Sequence, residues 1–404
     1  MMYNKQYSHF VNFLLFCFPL VINTVKSAGD LILLILATSG IFIAISNRKS
    51  PFSTEGLKLF SWVTFGYFLA VVLSVALSDK PTELAHYISR ELYFLFAPFI
   101  GLAIFKAKLS LNHLLLGIKL GLILLGAITI NQHLNGVIRP SGIMNAGIFA
   151  NLTVMMLFLS IANIFKENFW NQIFTLGSAF MGIIAIVTTG TRGAWLSFLI
   201  LTAIYIYLVY KHHLAHSRKI ILITIITFTA IIGISAGTSI VQDRIILAKN
   251  EAGQWVDNKS LDTSIGLRLE IWSSALKAVK QHPWFGYGYR NTNPVVANYA
   301  GQEAKKIIAN FNHLHNEYLT NFLGRGVLGL LSLLALLFLP LILFFKYIHG
   351  DQAQPQASMG ILLCVGYASF GLVNITFGDV FMNAFYVFFL SILLPLNYTR
   401  SRNL

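Results

Sequence analysis

Charged residues are scarce in this chain, making up 11% of its 404 residues against 56% apolar. At that balance, apolar runs of about 20 residues, the length that crosses ~30 Å of hydrocarbon, are unavoidable, and a soluble fold is excluded. Cysteine is nearly absent. Cys17 and Cys364 each lie inside an apolar run, which leaves neither a disulfide framework nor a ligand pair. The apolar runs also carry almost no ionisable side chains at their midpoints, where a carrier holding its solute halfway across the membrane needs them. No internal repeat of the transporter kind shows in their spacing.

What is present is a series of apolar stretches centred near residues 9–25, 29–46, 60–78, 91–105, 112–130, 143–165, 172–188, 194–210, 220–237, 326–345, 358–377 and 381–397. They predict an all-α polytopic membrane protein with about twelve transmembrane helices, and an even number puts both termini on one side. The short segments on that side hold thirteen bases and three acids, whereas the short loops opposite balance to zero. Basic residues accumulate on the cytoplasmic side of membrane proteins, so both termini are expected there. Most of the net charge of +14 is thereby accounted for as topology, and no nucleic-acid partner is needed. Residues 9–28 resemble a signal peptide, but Lys26 at the −3 position argues against cleavage and for a retained first span. The expected organisation is 1–237 with spans one to nine, 238–317 as one large outer loop containing helices, and 318–404 with spans ten to twelve.

Ionisable groups cost several kcal/mol in a bilayer unless paired or facing a cavity, so their placement points to function. Arg139, Arg192, Arg268, His313, His315, Arg325 and Asp379 all map to the outer ends of spans or to the outer loop. The pattern fits chemistry at the outer leaflet. Within the loop, a helix is expected from Gly266 to Gln281. At 100° per residue, Trp272, Ala275, Leu276 and Val279 fall on the side of Arg268, with Glu270, Ser273, Lys277 and Lys280 opposite. An arginine in the middle of an apolar face either grips an anion with its planar fork or snorkels to water, and the need for an anionic partner favours phosphate. Arg192 begins the eighth span, where its charge and the free N–H groups of a helix start together form a phosphate cradle; interfacial snorkelling is nearly as good a reading of this residue alone. Arg139, before Asn145 and the sixth span, is a weaker case of the same kind. Trp284-Phe285-Gly286-Tyr287-Gly288, after Pro283, suits a membrane interface. Arg290 following it either serves the site or makes an ordinary lipid-phosphate contact. The His313-Leu314-His315-Asn316-Glu317 run introduces the tenth span. If helical, it puts His315 on the face of Leu319 and Phe322 and turns His313 some 200° away. From Asn316 to Lys346 the helix exceeds the hydrocarbon thickness, with Gly324 and Gly326 offering a place to bend. A metal site at the two histidines ranks low, because no third and fourth ligand accompany them.

Three segments, in this order, resemble the bacterial O-antigen ligase and polymerase superfamily: Thr191-Arg192-Gly193; Arg268-Leu-Glu-Ile-Trp272 running into His282-Pro-Trp-Phe-Gly-Tyr-Gly288; and His315-Asn-Glu-Tyr-Leu319. Within that superfamily the histidine before the tenth span looks like that of the O-antigen ligases. The resemblance implies a GT-C-like helical glycosyltransferase of the bacterial inner membrane, with its site and large loop on the periplasmic side. Its implied partners are an undecaprenyl-pyrophosphate-linked glycan donor, a lipid A–core acceptor in lipopolysaccharide biosynthesis, and the surrounding membrane lipids. Neither metal nor cofactor is implied. By the matching motifs, Arg192 and Arg268 are the pyrophosphate-binding arginines and His315 the catalytic histidine. Asp379 falls near a family acidic position, and Arg139, Arg290 and Arg325 are possible supporting residues. Direct displacement by the acceptor hydroxyl inverts the anomeric centre. Two alternatives stand beside the ligase: an O-antigen polymerase, sharing donor and fold, and a lipid-linked-glycan flippase or binding protein without chemistry.

Overall fold

The computed structural model describes residues 5–46, 55–76, 84–107, 109–212, 237, 242–243, 245–247, 249–251, 263–288, 291–311, 313–348 and 355–400. Among the described residues every regular element is helical: α1 (Lys5–Val21), α2 (Ala28–Ser46), α3 (Glu55–Ala76), α4 (Leu84–Lys106), α5 (Leu111–Leu134), α6 (Ala146–Ile161), α7 (Phe169–Thr188), α8 (Arg192–His212), α9 (Ser264–Val279), α10 (Thr292–Tyr299), α11 (Gln302–Ala309), α12 (Glu317–Lys346), α13 (Pro355–Phe370) and α14 (Val380–Arg400).

Eight of these helices are long and apolar enough to cross a membrane: α2 to α8 and α12. Helices α1, α13 and α14 occupy the places of three further expected spans, but α1 has only 17 residues and the apolar parts of the other two are likewise short. The expected ninth span, 220–237, lies outside the described residues but for residue 237.

Helix α6 is the centre of the bundle. Every residue from Ala146 to Ile161 except the half-buried Ile148 is buried, and α5, α7, α8 and α13 pack around it. Interfaces between membrane helices gain from close backbone approach rather than from a hydrophobic driving force. At Gly40 a Cβ would collide with the Phe99 carbonyl, so glycine is what lets α2 lie against α4. Lys119, inside the fifth span, is held by Glu167 at 2.6 Å, and Thr175 donates to the other carboxylate oxygen at 2.6 Å. That pair ties α5 to the start of α7, at the end of the bundle away from Arg192.

Helix α12 breaks where its glycines allowed it. Gly326 has φ 66° and ψ −164°, a backbone conformation that glycine alone adopts without strain. Beyond the break about 20 residues remain, roughly the 30 Å of a membrane core. The break takes Val327 N–H out of the helical ladder, and it donates to Pro283 O at 2.7 Å. The freed carbonyls of Leu323 and Gly324 accept from Tyr287 N and Gly288 N, each at 2.9 Å. The aromatic, glycine-rich segment 283–288 is therefore docked on the α12 break by backbone hydrogen bonds, with Trp284 and Phe285 left exposed.

Candidate functional site

A cavity of about 1080 Å³ opens where α6, α8, α9, α10, α12 and α14 begin. Its lining contains Arg139, Arg192, Arg268, His315 and Asp379, residues from five distant parts of the chain. The sequence reading placed each at the outer end of a span or in the loop; the fold brings them to one cavity.

Arg192 is the first residue of α8, and its guanidinium donates to both carboxylate oxygens of Glu251, at 3.2 and 3.4 Å. Arg139 reaches the same turn from the loop before α6, donating to Thr189 O and Thr191 Oγ1, each at 3.2 Å. Arg268 sits in the second turn of α9, which Thr263 caps by accepting from Gly266 N at 3.0 Å. The buried face of α9 contains Ile271, Ser274, Ala275, Ala278 and Val279, while Leu276 is 53% exposed. Leu276 lay at the edge of the predicted apolar arc, and the true face is centred on the other side of Ala275. Arg268 remains on the inward side. Its pKa is lowered from the usual arginine value by burial first and then by Arg192; Glu251 opposes the shift and Arg139 adds to it. The three arginines thus share one electrostatic pole.

The His313-Leu314-His315 run is not helical. Helix α12 starts only at Glu317, with Asn316 Oδ1 accepting from Leu319 N at 2.9 Å, and His315 has φ 53°, in the left-handed region. The expectation that His313 points some 200° away is overturned. Both imidazoles line the cavity, their ring centroids 4.1 Å apart, and the His315 N–H donates to His313 Nδ1 at 3.3 Å. That bond assigns the remaining proton of neutral His313 to Nε2. Leu314 between them is buried, and Trp272 Nε1–H donates to its carbonyl at 2.9 Å. The tryptophan lies one turn beyond Arg268 on α9, so two separate sequence motifs are one physical unit. Burial, followed by His313 and then Arg268, pushes the His315 pKa down to about 3. Burial and then Arg268 also lower His313. Both rings are neutral near pH 7, the form in which an imidazole can accept a proton.

Asp379 caps α14, its Oδ1 accepting from Phe381 N at 3.0 Å and Met382 N at 3.1 Å. Burial raises its pKa, and the two N–H groups oppose that. Arg325 does not line the cavity. It is buried behind the break of α12, beside Glu91 at 3.6 Å, and donates to Asn321 Oδ1 at 2.6 Å and to the Tyr67 hydroxyl at 3.1 Å. Glu317, adjacent in sequence to the histidine motif, is also buried. It accepts from Asn321 Nδ2 at 2.7 Å and from Thr376 N at 2.8 Å, and so clamps the 371–379 loop to the start of α12. Arg290 lies outside the described residues. Among the described residues no three His, Cys, Asp or Glu side chains converge as metal ligands. Sequence reasoning missed several members of the lining, among them Arg90, Glu251 and Asn293. Arg90 carried a signal, a base at the outer start of a span; Glu251 and Asn293 are single polar residues within the long segment between spans and carried none.

These arginines, histidines and helix starts fall largely within one homologous region. Residues 176–334 match the O-antigen ligase family model. The match contains Arg192, Arg268 and His315 and bears out the family resemblance of the sequence. Over nearly its whole length the chain is similar to an uncharacterized protein of Haemophilus influenzae, 24% identical over 383 residues, which is 91% of this chain and 93% of that one. It is also similar to the ComP-specific O-oligosaccharyltransferase of Acinetobacter baylyi, 29% identical over 236 residues. That alignment spans 54% of this chain and 41% of the relative.

Proposed function

We propose that the chain is an O-antigen ligase of the bacterial inner membrane. In this reading it transfers a glycan from undecaprenyl pyrophosphate to a sugar hydroxyl of lipid A–core, with both termini cytoplasmic and the cavity open to the periplasm. The single observation that carries it is the convergence of Arg139, Arg192 and Arg268 with two neutral histidines on one cavity. The family match and the oligosaccharyltransferase relative support glycan transfer of the ligase type.

The chemistry suits these residues. A glycosidase needs a general acid and a second carboxylate because its leaving group is poor. A lipid pyrophosphate leaves readily once its developing charge is met, which is the work of Arg192 and Arg268 with Arg139 beside them. His315 takes the proton of the attacking hydroxyl, and displacement from the opposite face inverts the anomeric centre. No step uses a metal, and a chelator should leave turnover unchanged.

The test is purified protein with lipid-linked glycan and lipid A–core, products separated on a gel. Modified lipid A–core supports the ligase; lengthened lipid-linked polymer makes the protein a polymerase; movement of donor across a bilayer without a new bond makes it a flippase. The similarity to a ComP-specific enzyme favours one second reading, in which the same donor chemistry serves a different acceptor. Consumption of donor that depends on an acceptor other than lipid A–core would select it.

A further inference from the structure

The carboxylate of Glu251 occupies the position an anion would take. It lines the cavity and is 6% exposed. Both of its oxygens accept from Arg192, and Oε2 also accepts from Ile265 N at 3.2 Å. Ile265 is in the first turn of α9, one turn before Arg268. Glu251 therefore bridges the elements that carry the two principal arginines, accepting from Arg192 Nη2 and from a helix-start N–H, the kinds of donor that recognise phosphate oxygens. We propose that Glu251 is a resident counter-anion at the pyrophosphate pole, holding Arg192 in the empty protein and weakening the grip on pyrophosphate so that the spent lipid leaves. The inference rests on the pyrophosphate reading of that pole.

Charge explains why such a group is useful. Arg139, Arg192 and Arg268 less Glu251 leave two positive charges at the pole, and Arg90 and Asp379 cancel elsewhere in the lining. A glycan-bearing pyrophosphate diester carries two negative charges. The product, a pyrophosphate monoester, carries up to one more, because an ionisable oxygen is freed when the glycan leaves. Without Glu251 the pole matches the charge of the product; with it, the pole matches the donor, and the carboxylate opposes the product's extra charge more than it opposes the donor. The same result follows whether Glu251 stays in place or swings aside as the donor arrives, because either route sets its charge against that of the ligand.

The experiment uses the full chain in detergent, titrated with undecaprenyl pyrophosphate and separately with inorganic pyrophosphate, with binding read from tryptophan fluorescence. Glu251→Gln keeps one acceptor oxygen, which in the place of Oε2 serves both Arg192 and Ile265 N–H, but removes the charge. It should bind undecaprenyl pyrophosphate on the order of tenfold more tightly at low salt, and the gain should shrink as salt rises. In the transfer assay its first turnover should proceed while steady-state turnover falls through product inhibition. Unchanged or weaker binding in a Glu251→Gln protein that melts like wild type overturns the proposal. If that variant does not fold, Glu251→Asp, which keeps the charge but retracts it from Arg192, should also bind more tightly, by less, and unchanged binding there overturns the proposal instead. Wild-type binding that is lost in Arg192→Ala but not gained in Glu251→Gln rejects the role of Glu251 alone. Absence of wild-type binding rejects the pyrophosphate pole and this inference together.

Discussion

Loading the donor should change the basicity of His315, and the change is measurable as a split between two pH profiles. In the empty cavity burial, His313 and Arg268 hold His315 at about 3, so the ring is neutral at pH 7 but a weak base. A base that weak moves a proton poorly, since efficiency is greatest when the pKa lies near the working pH. A bound pyrophosphate brings two negative charges. At about 6 Å and an effective dielectric of about 20 they favour the imidazolium by about 5 kcal/mol. At 1.36 kcal/mol per unit that is a rise of roughly 4 units, enough to return His315 to the ordinary histidine range. The sign follows: the depressed pKa belongs to the free protein and the restored one to the complex. Turnover at saturating donor should therefore fall as pH drops through about 6.5, whereas kcat/KM, which reports the free protein, should persist to more acidic pH. The assay is initial rate from roughly pH 4.5 to 8 with donor varied at saturating acceptor, and His315→Ala should lose about 10²–10⁴-fold in kcat with donor binding intact. Coincident acid limbs, or a kcat limb lying below that of kcat/KM, would refute the reasoning, and a normally active His315→Ala would remove the base assignment altogether.

Arg192→Ala and Arg268→Ala should each abolish or greatly weaken transfer while the protein still inserts, and lysine should restore only part, since a point charge does not reproduce a forked contact; full activity in both alanine variants removes the pyrophosphate assignment. Arg325→Ala should act on stability instead, costing about 3–5 kcal/mol by leaving the buried Glu91 carboxylate without its cation. Thermal unfolding checks this, and an unchanged melting temperature refutes it. Cysteines introduced at Lys49 and Lys211 should be shielded from membrane-impermeant thiol reagents in intact cells while one at Asn258 reacts; the opposite labelling overturns the proposed orientation.

The parts of the site that were legible in the sequence are those where one residue contradicts its surroundings. Arg268 stands on an apolar face, Arg192 runs against the charge bias of its side, and Gly324 and Gly326 flank an arginine inside an overlong apolar run. Each is costly unless something compensates, and the structure supplies the compensation. The relation between His313 and His315 was not legible, because it depends on where α12 starts. Helical extrapolation separates the two rings, whereas Asn316 caps the helix one residue after His315 and the left-handed φ of His315 turns both rings into the cavity. Arg325 looked like a site residue because its partner, Glu91, is more than 200 positions away and no local pattern joins them. Glu251 was invisible for the same reason: its meaning comes only from Arg192 and the first turn of α9.

The location of the cavity follows from topology. In the proposed orientation, and with the expected twelve spans, every even-numbered span runs inward from the periplasmic side, so the N-terminal ends of α6, α8, α12 and α14, the expected spans six, eight, ten and twelve, gather there. Each helix start carries about half a positive charge and unpaired N–H groups. Residues at or just before these starts, Asn145, Arg192, His315 and Asp379, all line the cavity, joined by Arg268 from the second turn of α9. A bilayer resists ionised side chains at its centre but tolerates backbone dipoles at helix ends, where headgroups and water compensate them. A membrane protein that must hold a doubly charged pyrophosphate at one surface can thus obtain much of the needed positive potential from the direction of its helices and add only a few arginines. In that orientation the positive-inside rule places most bases on the other face, so the arginines that remain on this one fit the proposed handling of an anion there.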